Sequence, residues 1–200
     1  MIKNIIFDFG GVLVDWNPHH LYDSYFGNSE TADWFLQNIC TMDWNIQMDA
    51  GKSFQQGVAE RIALYPKWEK EIRLYWDGWI EMMGDTIPHM YEWILQLKQQ
   101  GYAVYGLTNW SKETFPMVQD KYAIFKLMDG IVMSGEEKVA KPDPKIYHAL
   151  LDRYQLIPEE CVFFDDNINN VNAANHIGIH AVQFFSMEQA QKALLKITQQ

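Results

Sequence analysis

Cysteine is scarce and long apolar runs are missing. Only Cys40 and Cys161 occur among 200 residues, too few for the disulfide framework of a small secreted domain. Cys161 adjoins the apolar run Val162-Phe163-Phe164, which points to burial rather than pairing and to a reducing cytoplasm. No stretch approaches the roughly 18 consecutive apolar residues of a membrane span. The opening run ahead of Asp8 is too short for a signal peptide. Basic side chains are also few, 16 Lys and Arg against 26 Asp and Glu, for a formal charge of −10. That balance argues against nucleic acid or an anionic membrane as partner, and an anionic substrate would need a local positive device. Internal repeats, low-complexity tracts and charge blocks are all lacking.

What is present is an apolar content of 48%, enough to bury one substantial α/β core and leave residues for a smaller unit. Ile5 to Phe9 reads as a buried parallel strand stopped by Gly10-Gly11, where backbone must come close to something. After Pro88, the spacing of Met90, Trp93, Ile94 and Leu97 predicts a helix ended by Gly101. Strands are expected at Ala103–Leu107, Gly130–Met133, Val162–Asp165 and, last, Ile179–Phe185. Helices fit between them: one opening near Ser111, one over Pro144–Tyr154 capped by Asp143, and one from about Asn167 to Ile177 ended by Gly178. Alternation of this kind implies a parallel sheet covered on both faces.

Residues 16–84 break the rhythm. They lack strand-like runs and read as several helices, beginning at Asn17-Pro18, that form an inserted helical domain. Residues 1–15 and 85–200 then make up the core. Six of the eight tryptophans (Trp16, Trp34, Trp44, Trp68, Trp76 and Trp79) fall in the insert, where filling a small core explains them better than stacking on a substrate.

Ligands of an open parallel sheet sit beyond the carboxyl ends of its strands. Four places qualify: Asp8, Thr108-Asn109, Lys141 and Asp165-Asp166. Each alone has a bland explanation as a cap, a turn or a solvated charge. Together they are chemically complete. A carboxylate such as Asp8 can attack phosphorus and form a covalent aspartyl intermediate. Two carboxylates about 4 Å apart repel by roughly 4 kcal/mol at an effective dielectric near 20, so Asp8 and Asp166 together call for a cation. Magnesium suits hard oxygen ligands shared with phosphate. Lys141 then neutralises nucleophile and phosphoryl charge, while the Thr108 hydroxyl and nearby N–H groups hold the other oxygens.

The motifs Phe7-Asp8-Phe9-Gly10-Gly11-Val12-Leu13, Leu107-Thr108-Asn109, Lys141-Pro142-Asp143-Pro144 and Phe163-Phe164-Asp165-Asp166-Asn167 resemble, in order, the four motifs of the haloacid dehalogenase superfamily. The resemblance implies a Rossmann-like three-layer α/β/α core with a helical cap inserted after the first motif. It also implies Asp8 as nucleophile, Thr108 and Asn109 as phosphate ligands, Lys141 as charge stabiliser, and magnesium held by Asp8, Asp166 and the Gly10 carbonyl. Asp165 would be a ligand or stand behind one. The run Asp8 to Asp15 is similar to a subgroup that includes an α-glucose-1-phosphate phosphatase, and a small phosphorylated metabolite is the implied substrate.

Two departures stand out. Family phosphatases carry an aspartate two residues after the nucleophile as general acid and base, and Gly10 stands there; Asp15, His19 and His20 are candidate replacements. Asn170 stands where many relatives have an aspartate, which leaves it a place behind the metal ligands. Three readings stay open: a phosphatase, a 2-haloacid dehalogenase, which needs no metal but needs a cation in its cap, and a binding module that has lost the reaction. Between Trp16 and Arg61 the only basic side chain besides histidine is Lys52, which disfavours the second. Trp110 is the aromatic expected nearest the pocket, with Met42-Asp43-Trp44-Asn45 as a weaker candidate. Trp and Asn together would suit a sugar. A hinge for cap closure is expected near Asp15 and Gly84.

Overall fold

The structure, a computed structural model, describes residues 1–199. The chain runs through β1 (Asn4–Phe7), β2 (Val14–Trp16), α1 (His19–Phe26), α2 (Ser29–Asn38), α3 (Met42–Asp49), α4 (Phe54–Leu64), α5 (Glu69–Asp77) and β3 (Met83–Thr86). It continues through α6 (Met90–Gln99), β4 (Ala103–Thr108), α7 (Phe115–Val118), β5 (Gly130–Met133), α8 (Ser134–Glu137) and α9 (Pro144–Tyr154). The remaining elements are β6 (Cys161–Asp165), α10 (Ile168–His176), β7 (His180–Gln183) and α11 (Met187–Thr198).

Five strands form one parallel sheet in the order β5-β4-β1-β6-β7. Its period-two alternation sorts the core into layers. Ile5, Phe7, Val162 and Phe164 point to one side, where Trp93, Ile94 and Leu97 of α6 and Leu194 of α11 pack. Ile6, Cys161 and Phe163 point to the other, onto Ile146, Tyr147 and Leu150 of α9 and Ala174 of α10. The result is the expected three-layer α/β/α core. The helix over Pro144–Tyr154 is capped by Asp143, whose side chain accepts the Lys145 N–H at 2.9 Å. Cys40 and Cys161 are both buried and free. No described helix is long and apolar enough to cross a membrane.

Three features differ from the pattern reading. β2 and β3 pair antiparallel, Val14 with Thr86 and Trp16 with Met83, so a two-stranded ribbon frames the segment that was expected to be helical throughout. It escaped notice because neither arm exceeds four residues. The helix expected from Ser111 begins only at Phe115, because Ser111 starts a turn: its hydroxyl accepts the Glu113 N–H at 3.2 Å and its carbonyl the Thr114 N–H at 3.2 Å. Beyond Phe185, where no element was expected, α11 packs along the sheet. Its start carries a legible signal, Ser186 accepting the Gln189 N–H at 3.2 Å while Gln189 accepts the Phe185 N–H at 3.3 Å, close to a capping box.

The insert builds its own aromatic core. Tyr22, Phe35 and Tyr75 are fully buried. Trp44 stacks edge-on against Tyr75 with ring centroids 4.9 Å apart and donates its indole N–H to the Gly57 carbonyl at 3.1 Å. Trp44 is thus a core residue.

Candidate active site

β1 is the central strand, flanked by β4 and β6. The chain leaves β1, adds β4 and β5 on one side, then crosses to β6 and β7 on the other. That reversal opens a crevice beside the carboxyl end of β1. Asp8 is the first residue beyond that end, and its N–H still follows the ladder, donating to the Phe164 carbonyl at 2.9 Å. Thr108 closes β4, and Asp165 closes β6. The winding therefore gathers residues more than 150 positions apart at one edge.

Lys141 enters this edge from a loop and is buried to 2% exposure. Its ammonium spends its donors on the Leu107 carbonyl at 2.8 Å, Asp165 Oδ2 at 2.6 Å and Asp8 Oδ2 at 2.9 Å. Asn109 fixes the loop: its side-chain amide donates to the Lys141 carbonyl at 2.9 Å and accepts the Lys141 N–H at 2.8 Å. Asn109 thereby positions the lysine, and it also lines the same cavity as Asp8. Burial is the strongest influence on Lys141 and lowers its proton affinity, yet Asp165 and Asp8 outweigh it and hold the ammonium above its usual range.

Asp8, Asp165 and Asp166 offer carboxylate oxygens within 4.8 Å of one another. Their roles differ. Asp165 has no exposed surface and is saturated by Lys141, by the Asn167 N–H at 2.8 Å and by Asn170 Nδ2 at 3.0 and 3.1 Å. Asp166 is exposed beside Gly11. Gly11 has φ +73, and a Cβ there would stand 2.7 Å from Asp166 Oδ2, so both its backbone and the space it leaves demand glycine. Burial pushes Asp8 up to about 7; Lys141 opposes this, and Asp165 and Asp166 add to it. Burial, with Asp165 next, also raises Asp166. Two carboxyls with elevated proton affinity mark a place that lacks positive charge. Hard oxygens on adjoining strand ends fit a magnesium-class ion.

Two buried polar atoms near this cluster have no partner: the Thr108 hydroxyl and Asn170 Oδ1. A third, the Trp16 indole nitrogen, lies on the ribbon. Buried groups of this kind are costly unless a ligand satisfies them.

The cluster opens on a cavity of about 290 Å³. Asp8, Gly10, Asp166, Asn109 and Asn170 form its floor. Its apolar wall comes from Trp16, Met42, Ile46, Trp79 and Trp110, with Asn45 and Asp49 as its polar members. Trp110 is therefore where the sequence expects it, although its indole N–H is already given to Thr114 Oγ1 at 3.1 Å. Within the Met42–Asn45 segment, Met42 and Asn45 face the cavity while Trp44 faces the insert's core. The candidate acids fare worse. His20 pairs with Asp15 at 2.7 Å, His19 with Asp23 at 2.8 Å and Asp33 at 3.4 Å, and none of Asp15, His19 and His20 lines the cavity. Among the described residues no lysine or arginine lines it either, and Lys52 is tied to Glu60 at 2.6 Å.

Asp49 was not foreseen. It ends α3, half-buried, at the place where a helix dipole disfavours an acid. An acid in a last helical turn is the signal that could have found it. Burial pushes its carboxyl up to about 8; the Ser111 N–H opposes this and the Asp8 charge adds to it.

Residues 2–178 match the family model of the haloacid dehalogenase-like hydrolases. The chain belongs to that family. Among related haloacid dehalogenase-like proteins, a sesquiterpene phosphatase of Aspergillus oryzae is 29% identical over 183 residues, covering 88% of this chain and 87% of its own. A D-ribitol-5-phosphate phosphatase of Bacteroides thetaiotaomicron is 24% identical over 194 residues, covering 92% of each. A haloacid dehalogenase family enzyme from the same bacterium, solved with magnesium and inorganic phosphate, superposes with a TM-score of 0.72 at 22% identity, over 94% of this chain and 96% of that one. The last shares the fold.

Proposed function

We propose that this hydrolase is a magnesium-dependent phosphatase that cleaves a small phosphomonoester through an aspartyl-phosphate on Asp8. One observation carries the reading: Asp8 is paired with the buried Lys141 and still shares a cluster with Asp166 at the floor of an open cavity. Asp8, Asp166 and the Gly10 carbonyl would hold the ion, with Asp165 and Asn170 behind them. When bound, magnesium offsets the charge of Asp8 and of the phosphoryl oxygens.

The chain's own residues do the rest. Lys141 favours the ionised form of Asp8 and orients it for attack on phosphorus. The unpartnered Thr108 hydroxyl donates to a non-transferring oxygen, joined by backbone N–H groups after β4. Asn109 keeps Lys141 in register. Trp110 and its apolar neighbours hold the leaving group and exclude water, and a sugar ring stacked on Trp110 is one group that such a wall fits. Residues 16–84 act as the cap over residues 1–15 and 85–200, hinged at the ribbon that holds Asp15 and Gly84.

The relatives named as phosphatases support this reading. The dehalogenase alternative needs a cation for a substrate carboxylate, and among the described residues no lysine or arginine lines the cavity. The test is phosphate release from a panel of small phosphomonoesters, sugar phosphates included, with magnesium or with chelator. Turnover should require magnesium and vanish in Asp8→Asn. Release that survives in Asp8→Asn would refute the covalent role.

A further inference from the structure

Gly10 leaves the reaction without the acid that its chemistry requires, and the insert supplies one to the same cavity. We propose that Asp49, at the end of α3, protonates the leaving-group oxygen and then activates the attacking water. This rests on the phosphatase reading above.

Three observations converge on Asp49. It is the only acidic side chain from the insert among the described cavity-lining residues, and it shares that cavity with Asp8 and Gly10. Its position is fixed from both sides. Tyr75 Oη donates to Asn45 Oδ1 at 3.1 Å, and Asn45 Nδ2 donates to Asp49 Oδ2 at 2.9 Å. The Asp49 carbonyl accepts the Ser134 hydroxyl at 2.6 Å, and Ser134 Oγ accepts the Trp110 N–H at 2.9 Å. The end of α3 is thus tied to the strand edge that carries the phosphate-binding residues. Asn45 Nδ2 donates to the carboxyl, so a proton on Asp49 is left free for a ligand.

The elevated proton affinity agrees with this geometry: burial pushes the Asp49 carboxyl up to about 8, which favours the protonated form that a general acid needs. The rival acids Asp15, His19 and His20 are paired away from the cavity.

The two half-reactions balance. First, an Asp8 carboxylate oxygen bonds to phosphorus, the ester P–O bond breaks, and its electron pair stays on the leaving oxygen, which takes the Asp49 proton. Then a water oxygen bonds to phosphorus as its proton passes to the Asp49 carboxylate and the bond from phosphorus to Asp8 breaks. Alcohol and phosphate depart, with Asp8 ionised and Asp49 protonated as at the start.

The experiment is a single turnover with magnesium-loaded enzyme in excess, following leaving-group release from an alkyl phosphate and from p-nitrophenyl phosphate. Nitrophenolate departs without a proton, whereas an alkoxide needs one. Asp49→Asn keeps an acceptor for Asn45, and a thermal melt verifies that it folds. The expected result is a fall of about 10²–10⁴-fold in alkanol release, with nitrophenolate release slowed far less, so that the ratio of the two rates widens by at least ~10-fold. An unchanged ratio, whether both rates fall together or neither falls, overturns the proposal. Wild-type enzyme that releases neither group would instead overturn the phosphatase reading beneath it.

Discussion

Replacing Lys141 by methionine tests whether the acidic edge is held together by that one cation. Methionine preserves most of the volume but leaves Asp165 Oδ2, Asp8 Oδ2 and the Leu107 carbonyl without the donors now at 2.6, 2.9 and 2.8 Å. Asp165 is fully buried and Asp8 nearly so, so solvent offers little compensation. Removing one partner of a buried ion pair costs about 3–5 kcal/mol. For a protein of this size each kcal/mol lowers the melting temperature by about 2–4 °C, so the drop should be roughly 6–20 °C. The assay is thermal unfolding in chelator, followed by circular dichroism. Excess magnesium should narrow the gap, because a divalent ion at Asp8 and Asp166 restores part of the missing positive charge. Adding Asp165→Asn should also return part of the loss, since it removes the unpaired charge. A Lys141→Met protein that melts within about 2 °C of wild type would refute the reasoning, because less than about 1 kcal/mol would then separate them.

Other substitutions separate stability from function. Thr108→Val removes a buried hydroxyl that has no partner; stability should hold or rise by up to about 1 kcal/mol, whereas inorganic phosphate should bind about 10–100-fold more weakly, as the loss of a hydrogen bond to a charged group predicts. Isothermal titration beside a thermal melt measures both. Gly11→Ala should cost about 1–3 kcal/mol for a side chain at φ +73 and should also weaken magnesium binding by displacing Asp166, measured as a smaller magnesium-induced rise in melting temperature. Burial pushes the Asp49 carboxyl up to about 8, well above the usual carboxylate range, so its contribution is fully present at low pH and is lost as pH rises through about 8. Relative to wild type, Asp49→Asn should therefore gain stability between pH 5 and pH 8, at no more than about 1.4 kcal/mol per pH unit; a pH-independent difference in chemical denaturation would contradict the elevated value.

Much of the core was legible because its signals are local. The run ending at Asp8, the spacing Met90-Trp93-Ile94-Leu97 and the Asp143-Pro144 start each specify their element within a few residues. The helical character of the insert followed from composition and from the lack of alternating runs, but of its six tryptophans only Trp44 and Trp79 are buried, while Trp34 is exposed. The β2/β3 ribbon was not legible, since two short arms about 70 residues apart pair only when the insert folds between them. The helix at the C-terminal end is legible in Ser186-Met187-Glu188-Gln189, whose first and last side chains cap its start.

For the site, sequence alone singled out Asp8, Thr108, Lys141 and Asp166, of which Asp8 and Asp166 line the cavity while Thr108 and Lys141 are buried. Each follows or ends an apolar strand or opens a helix, and the handedness of β-α-β winding brings such ends to one edge. Only the tertiary structure decided how they divide the work. Asn109 turned out to hold the Lys141 backbone while lining the cavity, Asp165 to be saturated while Asp166 stays open, and Trp44 to face away from the cavity that Met42 and Asn45 line. Only the tertiary structure brought Asp49 into the same cavity as Asp8. The physical reason is that side-chain direction and proton affinity depend on which neighbours displace water around a group, and the neighbours of Asp49, from Tyr75 to Ser134, come from segments that no local pattern connects.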